Sequence, residues 1–193
     1  MMNHEDEEDR LVSLQRSVIA LKRKKDFDSA HQVLDAFLRE SSEPELRSEA
    51  LALRAECYEE QGNRAAAEAA LREAIDASTP SSYARFTLEI TLGGFHEKQG
   101  ALTDAASWYR RAMQTTISAS ERFSGSGAVK LLLALRGENG IDANDRALAN
   151  DVLGRSWAYL GVQSRPTFSS LAEEVASLAG RERDLRGPTS VGQ

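Results

Sequence analysis

Residues 51–75 read LALRAECYEEQGNRAAAEAALREAI, and this stretch has the form of two apolar-striped helices joined by a Gly-Asn turn. Leu51, Ala55 and Tyr58 recur at i, i+4, i+7, and Ala67, Ala70, Leu71 and Ala74 at i, i+3, i+4, i+7, so each half carries one apolar stripe of helical period. Gly62 can take the left-handed conformation that closes a helix, and the Asn63 side-chain oxygen can start the next one. Two helices this small cannot bury their stripes alone. The motif is stable only if copies of it stack.

Two further copies occur. KKDFDSA at residues 24–30 and QGALTDA at residues 99–105 align with QGNRAAA at residues 61–67, placing Lys25, Gly62 and Gly100 at the turn with spacings of 37 and 38 residues. Five residues past each turn stand Ala30, Ala67 and Ala105. Four further come Leu34, Leu71 and Tyr109, then Phe37, Ala74 and Ala112; four before each turn stand Leu21, Tyr58 and His96. This alternation of small and large positions resembles the tetratricopeptide repeat family over residues 11–116, and Gly93 matches the small residue that family places midway along a first helix. The usual period is about 34 residues, with the surplus here in Ser41–Pro44 and Ser78–Ser82. Lys25 for glycine and Phe37 for alanine mark repeat one as a looser terminal copy. The fold class expected is all-α, an α-solenoid of antiparallel helix pairs.

The expected domain is one array over residues 5–180, with repeats at 8–40, 44–78 and 82–117, a degenerate pair at 119–161, and a capping helix at 167–180 opened by Pro166 and Thr167. Ser42 and Glu45 are spaced as a capping box. Tyr109 falls in a core slot, with Trp108 partly exposed, and Gly125 and Gly127 sit near a helix start, where close packing or a break would explain them. The tail at 181–193 has too little apolar content to stay ordered beyond its first turn.

Composition narrows the function. With 41% apolar and 28% charged residues, the chain is of the ordinary folded class. There is no run of eighteen apolar residues, and MMNHEDEEDR is not a basic-then-apolar leader, so no membrane span or secretory signal is expected and the cytosol is the expected location. Cys57 is the single cysteine, which excludes an internal disulfide and reads as a small buried hydrophobe. A net charge of −6 argues against a nucleic-acid surface. The cluster LKRKK at residues 21–25 suits a helix C-terminus.

Chemical motifs fail on spacing. HEKQG at residues 96–100 has Gly100 where a zinc motif needs its second histidine, and FSGSGAVK at residues 123–130 matches neither a phosphate loop nor a nucleophile elbow. Neither an enzyme, a cofactor nor a metal site is expected. What the resemblance implies is a protein-binding module whose first helices line a concave face. Carried over by register, the partner-binding positions are Gln15, Ile19, Lys22 and Arg23; Glu49, Ala52, Glu56, Glu59 and Glu60; and Thr87, Ile90, Glu97 and Lys98. The middle group is acidic and suits a basic segment of a partner. Gln15, Ile19, Thr87 and Thr91 stand where relatives that grip chaperone C-termini carry Lys, Arg or Asn, which disfavours that role. An immunity or antitoxin protein covering a basic toxin is the second class, and a scaffold that self-associates into homo-oligomers is the third.

Overall fold

The structure, a computed structural model, describes residues 4–120 and 122–185. Among them are nine α-helices and one 3-10 turn, with no strand. The helices are α1 (His4–Arg23), α2 (Phe27–Glu40), α3 (Pro44–Glu60), α4 (Arg64–Ala77), α5 (Tyr83–Lys98), α6 (Leu102–Ser118), α7 (Ser126–Arg136), α8 (Ala143–Tyr159) and α9 (Leu171–Leu185), with the 3-10 turn at Glu138–Gly140. The chain is an all-α protein of the α-solenoid class, and it divides into two compact units, Met1–Pro80 and Ser81–Gln193.

In the first unit the turn chemistry sets the helix pairs. Lys25 and Gly62 both lie in the left-handed region, at φ 58° and 76°. After α1, Lys25 N–H donates to Lys22 O (2.9 Å) and Asp26 N–H to Leu21 O (3.0 Å); after α3, Gly62 N–H donates to Glu59 O (2.9 Å) and Asn63 N–H to Tyr58 O (2.9 Å). This double bond closes a helix and reverses the chain. Asp26 and Asn63 then cap the next helices, each accepting a backbone N–H three residues on at 3.2 Å. α3 begins differently from expectation: Pro44 opens it, and the residue before it, Glu43, makes no side-chain cap. The Ser42–Glu45 capping box is not formed, because Glu45 turns instead to accept the Thr79 backbone N–H at 3.1 Å.

Leu11, Leu14, Val18, Ala30, Leu34, Phe37, Leu46, Ala50 and Cys57 form one core cluster. The stripes read around the central turn are buried at Leu51, Ala55, Ala67, Ala70, Leu71 and Ala74. Tyr58 is half-buried, its ring 4.4 Å from that of His31. Cys57 is fully buried, and burial pushes its thiol pKa up, so its packing and not its reactivity explains it.

In the second unit Ser82 caps α5 and the α5–α6 turn repeats the same bonds at Gly100, φ 75°. A methyl group added at Gly93 would stand 2.4 Å from Cε1 of Tyr109, which explains the small residue midway along α5. Trp108 is buried, under the Arg111 guanidinium at 4.3 Å, and not partly exposed as expected. Gly125 sits where a Cβ would meet Thr116 at 2.6 Å and Val152 at 2.8 Å, so its reason is close packing.

The helices after α6 depart from simple pairing. α7 touches α6, α8 and α9, and α6 also touches α8. The pair-closing turn recurs not between α7 and α8 but after α8: Gly161 has φ 74°, its N–H donates to Ala158 O, and Val162 N–H donates to Trp157 O, both at 3.0 Å. Trp157, four before that glycine, occupies the slot of Leu21, Tyr58 and His96. The last helix starts at Leu171 and not at Pro166. Ser170 and Glu138 capture its first N–H groups, Glu138 accepting from Leu171 at 3.2 Å and Ala172 at 3.3 Å. Phe168 stays outside the helix and stacks on Trp157 at 5.7 Å. α9 runs to Leu185, the first turn of the expected tail; residues 186–193 lie outside the described residues.

Candidate partner-binding surface

The predicted positions on α1 and α3 come together within the first unit. Gln15 Nε2 donates to Glu49 Oε2 at 3.1 Å. Lys22 Nζ lies 2.7 Å from Glu56 Oε2 and 2.9 Å from Glu60 Oε1. The two carboxylates, one helical turn apart, therefore close on a single ammonium from the neighbouring helix. Lys22 is only 14% exposed at its side chain. Burial alone would lower its pKa, but the hydrogen bonds to Glu56 and Glu60 outweigh that and raise it. Ile19 is 44% exposed, Ala52 is half-buried, and Arg23, Glu49, Glu56, Glu59 and Glu60 are exposed. Burial, then repulsion from Glu45, pushes the Glu49 carboxyl upward against the Gln15 bond.

The charge sits in this unit. Residues 1–80 hold eleven Lys and Arg against eighteen Asp and Glu, whereas residues 81–193 hold thirteen against twelve. The whole acidic balance of the chain therefore belongs to the first unit.

The predicted α5 positions lie in the second unit. Thr87 is exposed and its hydroxyl donates back to Tyr83 O at 3.0 Å; Thr91 does the same to Thr87 O at 2.9 Å. Such back-bonding satisfies the hydroxyl within its own helix. Ile90 is half-buried against the core. Glu97 accepts the Tyr109 hydroxyl at 2.6 Å, so it holds the ring that Gly93 admits. Lys98 is exposed.

The second unit also contains a cavity of about 590 Å³ lined by Tyr83, Phe86, Phe123, Tyr159 and Glu182 among others. Register reasoning missed it, since Phe123 falls in the degenerate pair at 119–161, outside the three aligned copies, and Glu182 falls beyond the expected capping helix. Two of its lining rings are exposed, Tyr83 at 54% and Tyr159 at 47%. Among the described residues no group of three or more His, Cys, Asp or Glu is placed to hold a metal ion, and no described helix is long and apolar enough to cross a membrane.

The sequence pattern of the tetratricopeptide repeat family matches residues 17–82. No curated protein sequence matches the chain. Among solved structures, the crystal structure of BtubC (BKLC) from P. vanneervenii is similar, at 14% identity over 93% of this chain and 87% of that one, with a TM-score of 0.52. The Podosopora anserina putative kinesin light chain with nearly identical TPR-like repeats is similar at 13% identity over 95% and 98%, with a TM-score of 0.50. At these identities the likeness is one of fold. The family's repeats generally mediate protein–protein interaction. The turn geometry repeats at Lys25, Gly62 and Gly100, and the stretch that matches the tetratricopeptide repeat pattern, residues 17–82, covers the first two of those turns.

Proposed function

We propose that the chain is a non-catalytic protein-binding module whose α1–α3 face receives a basic segment of a partner protein. The observation that carries this reading is the concentration of charge: the excess of acidic over basic residues is confined to residues 1–80, and Glu49, Glu56, Glu59 and Glu60 stand exposed along one helix of that unit. Long-range attraction of this kind steers a cationic partner toward the surface and favours correct orientation. Lys22 modifies the expectation drawn from sequence. It already satisfies Glu56 and Glu60 in part, so an incoming cation shares or displaces an internal one, and Glu49 and Glu59 provide the approach on either side. Ile19 adds an apolar contact beside them.

The test is titration of a partner captured from the source cell and then purified, against the parent chain and a Glu49→Lys/Glu59→Lys variant, at low and high salt. The expected result is weaker binding with a flatter salt dependence in a variant that melts like the parent, since exposed substitutions stay within about 0.5 kcal/mol. Equal affinities and equal salt slopes, with both proteins folded, would overturn the assignment of this face.

A further inference from the structure

Among the described residues of 81–185 five acidic side chains are not exposed, and four of them face an arginine. Glu89 lies 3.4 Å from Arg85 and 3.7 Å from Arg111, Glu138 3.1 Å from Arg146, Asp145 2.5 Å from Arg110, and Glu174 2.7 Å from Arg165. The fifth is Glu182. Among the described residues it meets only hydroxyls: Ser124 Oγ donates to its Oε1, and Ser126 Oγ donates to the same atom at 2.9 Å. Both serines belong to the segment that opens α7, so the carboxylate is held in a fixed direction while its second oxygen is left without a partner among those residues. A half-buried carboxylate compensated by hydroxyls alone retains most of the cost of its partial desolvation.

Glu182 forms part of the wall of the cavity of about 590 Å³, and four aromatic rings, Tyr83, Phe86, Phe123 and Tyr159, line the same space. The Tyr83, Phe86 and Phe123 rings meet one another at centroid distances of 5.3 to 5.9 Å, with Tyr83 edge-on to Phe123 at 75°. The half-exposed Tyr159 ring lines the same space. Ring faces carry negative electrostatic potential and attract a desolvated cation, with arginine able to stack as well. A fixed carboxylate among ring faces is the chemistry that receives a positive charge. Arg122 lines the cavity too, but its side chain is exposed to water, so its charge needs no compensation from within.

We propose that this cavity is a second binding site, which takes an arginine or lysine side chain from a partner protein segment between the aromatic rings and Glu182. It rests on the reading that the chain is a protein-binding module, but it uses a surface in the other unit. The experiment is nuclear magnetic resonance titration of the full chain with capped heptapeptides identical except at the centre, which carries arginine, lysine, citrulline or glutamate. Citrulline keeps the shape of arginine without its charge. The arginine and lysine peptides are expected to shift resonances at Tyr83, Phe123 and Glu182, with citrulline about tenfold weaker than arginine. Glu182→Gln keeps an oxygen for the two serines and should weaken arginine binding about tenfold while leaving citrulline unchanged. Tyr159→Ala, an exposed change that spares the fold, should weaken both cationic peptides several-fold and decides the matter if Glu182→Gln fails to fold. Equal binding of citrulline and arginine, preference for the glutamate peptide through Arg122, or no shift with any peptide would each overturn the proposal. Shifts confined to α1 and α3 would overturn it as well while leaving the acidic face intact. The converse, shifts at Tyr83 that persist in the Glu49→Lys/Glu59→Lys variant, would separate the two sites.

Discussion

Gly93→Ala tests the repeat register at its tightest point. The new methyl would stand 2.4 Å from Cε1 and 2.6 Å from Cδ1 of Tyr109, closer than Cβ atoms approach other carbons. The obstacle is not a flexible chain end. Tyr109 is fully buried and its hydroxyl is held by Glu97 at 2.6 Å, so the ring cannot retreat without strain or loss of that bond. Overpacking of this kind costs about 1–3 kcal/mol, and a broken hydrogen bond to a carboxylate about 1.5–3 kcal/mol. Against these stands a gain of about 1 kcal/mol from replacing glycine by alanine within a helix. The net expectation is a loss of about 2–4 kcal/mol.

Trp108 and Trp157 are the two tryptophans, and both lie in residues 81–193. Urea unfolding followed by tryptophan fluorescence therefore reports on this unit alone. With a urea slope of about 2 kcal/mol per molar, the midpoint should fall by about 1–2 M. The neighbouring Gly94 is the control, because the nearest atom to a Cβ there is the Tyr109 hydroxyl oxygen at 3.9 Å. Gly94→Ala should hold or raise the midpoint through propensity alone. Combining Gly93→Ala with Tyr109→Leu should cost less than the sum of the two changes, since the smaller side chain gives the methyl room. A Gly93→Ala midpoint at or above that of the parent would show that α5 and α6 do not approach as described, and would remove the structural reason for glycine at this repeat position.

Ala67→Glu places an unpaired carboxylate at a site that is 1% exposed; a loss of several kcal/mol is expected, and a circular dichroism melt within a degree or two of the parent would contradict the α3–α4 packing. Lys22→Met removes the ammonium between Glu56 and Glu60 but leaves both carboxylates exposed to water, so stability should change by no more than about 1 kcal/mol, while affinity for a basic partner rises; unchanged affinity would show that Lys22 does not compete for those carboxylates. Glu138 is driven toward a higher pKa by its slight burial, but its bonds to Leu171 N–H, Arg146 and Ala172 N–H outweigh this and lower it. A lowered folded pKa gives stability that is present above the ordinary carboxylate value of about 4.3 and lost as pH falls through the folded value. Melting of the parent should therefore fall more steeply between pH 5 and 3 than that of Glu138→Gln, and parallel profiles would place α9 capping elsewhere.

What the sequence made legible is what repeats. The apolar stripe, the turn residue and the small–large–small register come from local rules that act the same way in each copy, and Lys25 shows their strength by taking φ 58° where glycine would be unstrained. The C-terminal helices were harder to read because their determinants are distant in sequence. The start of α9 depends on Glu138, thirty-three residues before Leu171, and Trp157 marks a pair-closing turn whose partner helix is delayed to Leu171 by the segment 162–170, which hides the fixed spacing. Glu45 is spaced to serve a capping box and caps no helix; the competing donor, the Thr79 N–H, lies thirty-four residues away.

The same limit applies to the charged face, where periodicity assigns a residue to a side of its helix but not to a partner across the groove between helices. Gln15 reaches Glu49 and Lys22 reaches Glu56; each pair is thirty-four residues apart, three fewer than the thirty-seven that separate the Lys25 and Gly62 turns. The difference is about one helical turn. In both pairs the α3 partner stands one turn N-terminal to the position that the repeat alignment sets opposite the α1 residue. Lys22 is in register with Glu59, and the carboxylates it contacts are those on either side, Glu56 and Glu60. A count of acidic residues on the face therefore overstates the charge offered to a partner, because Lys22 already meets two of the carboxylates.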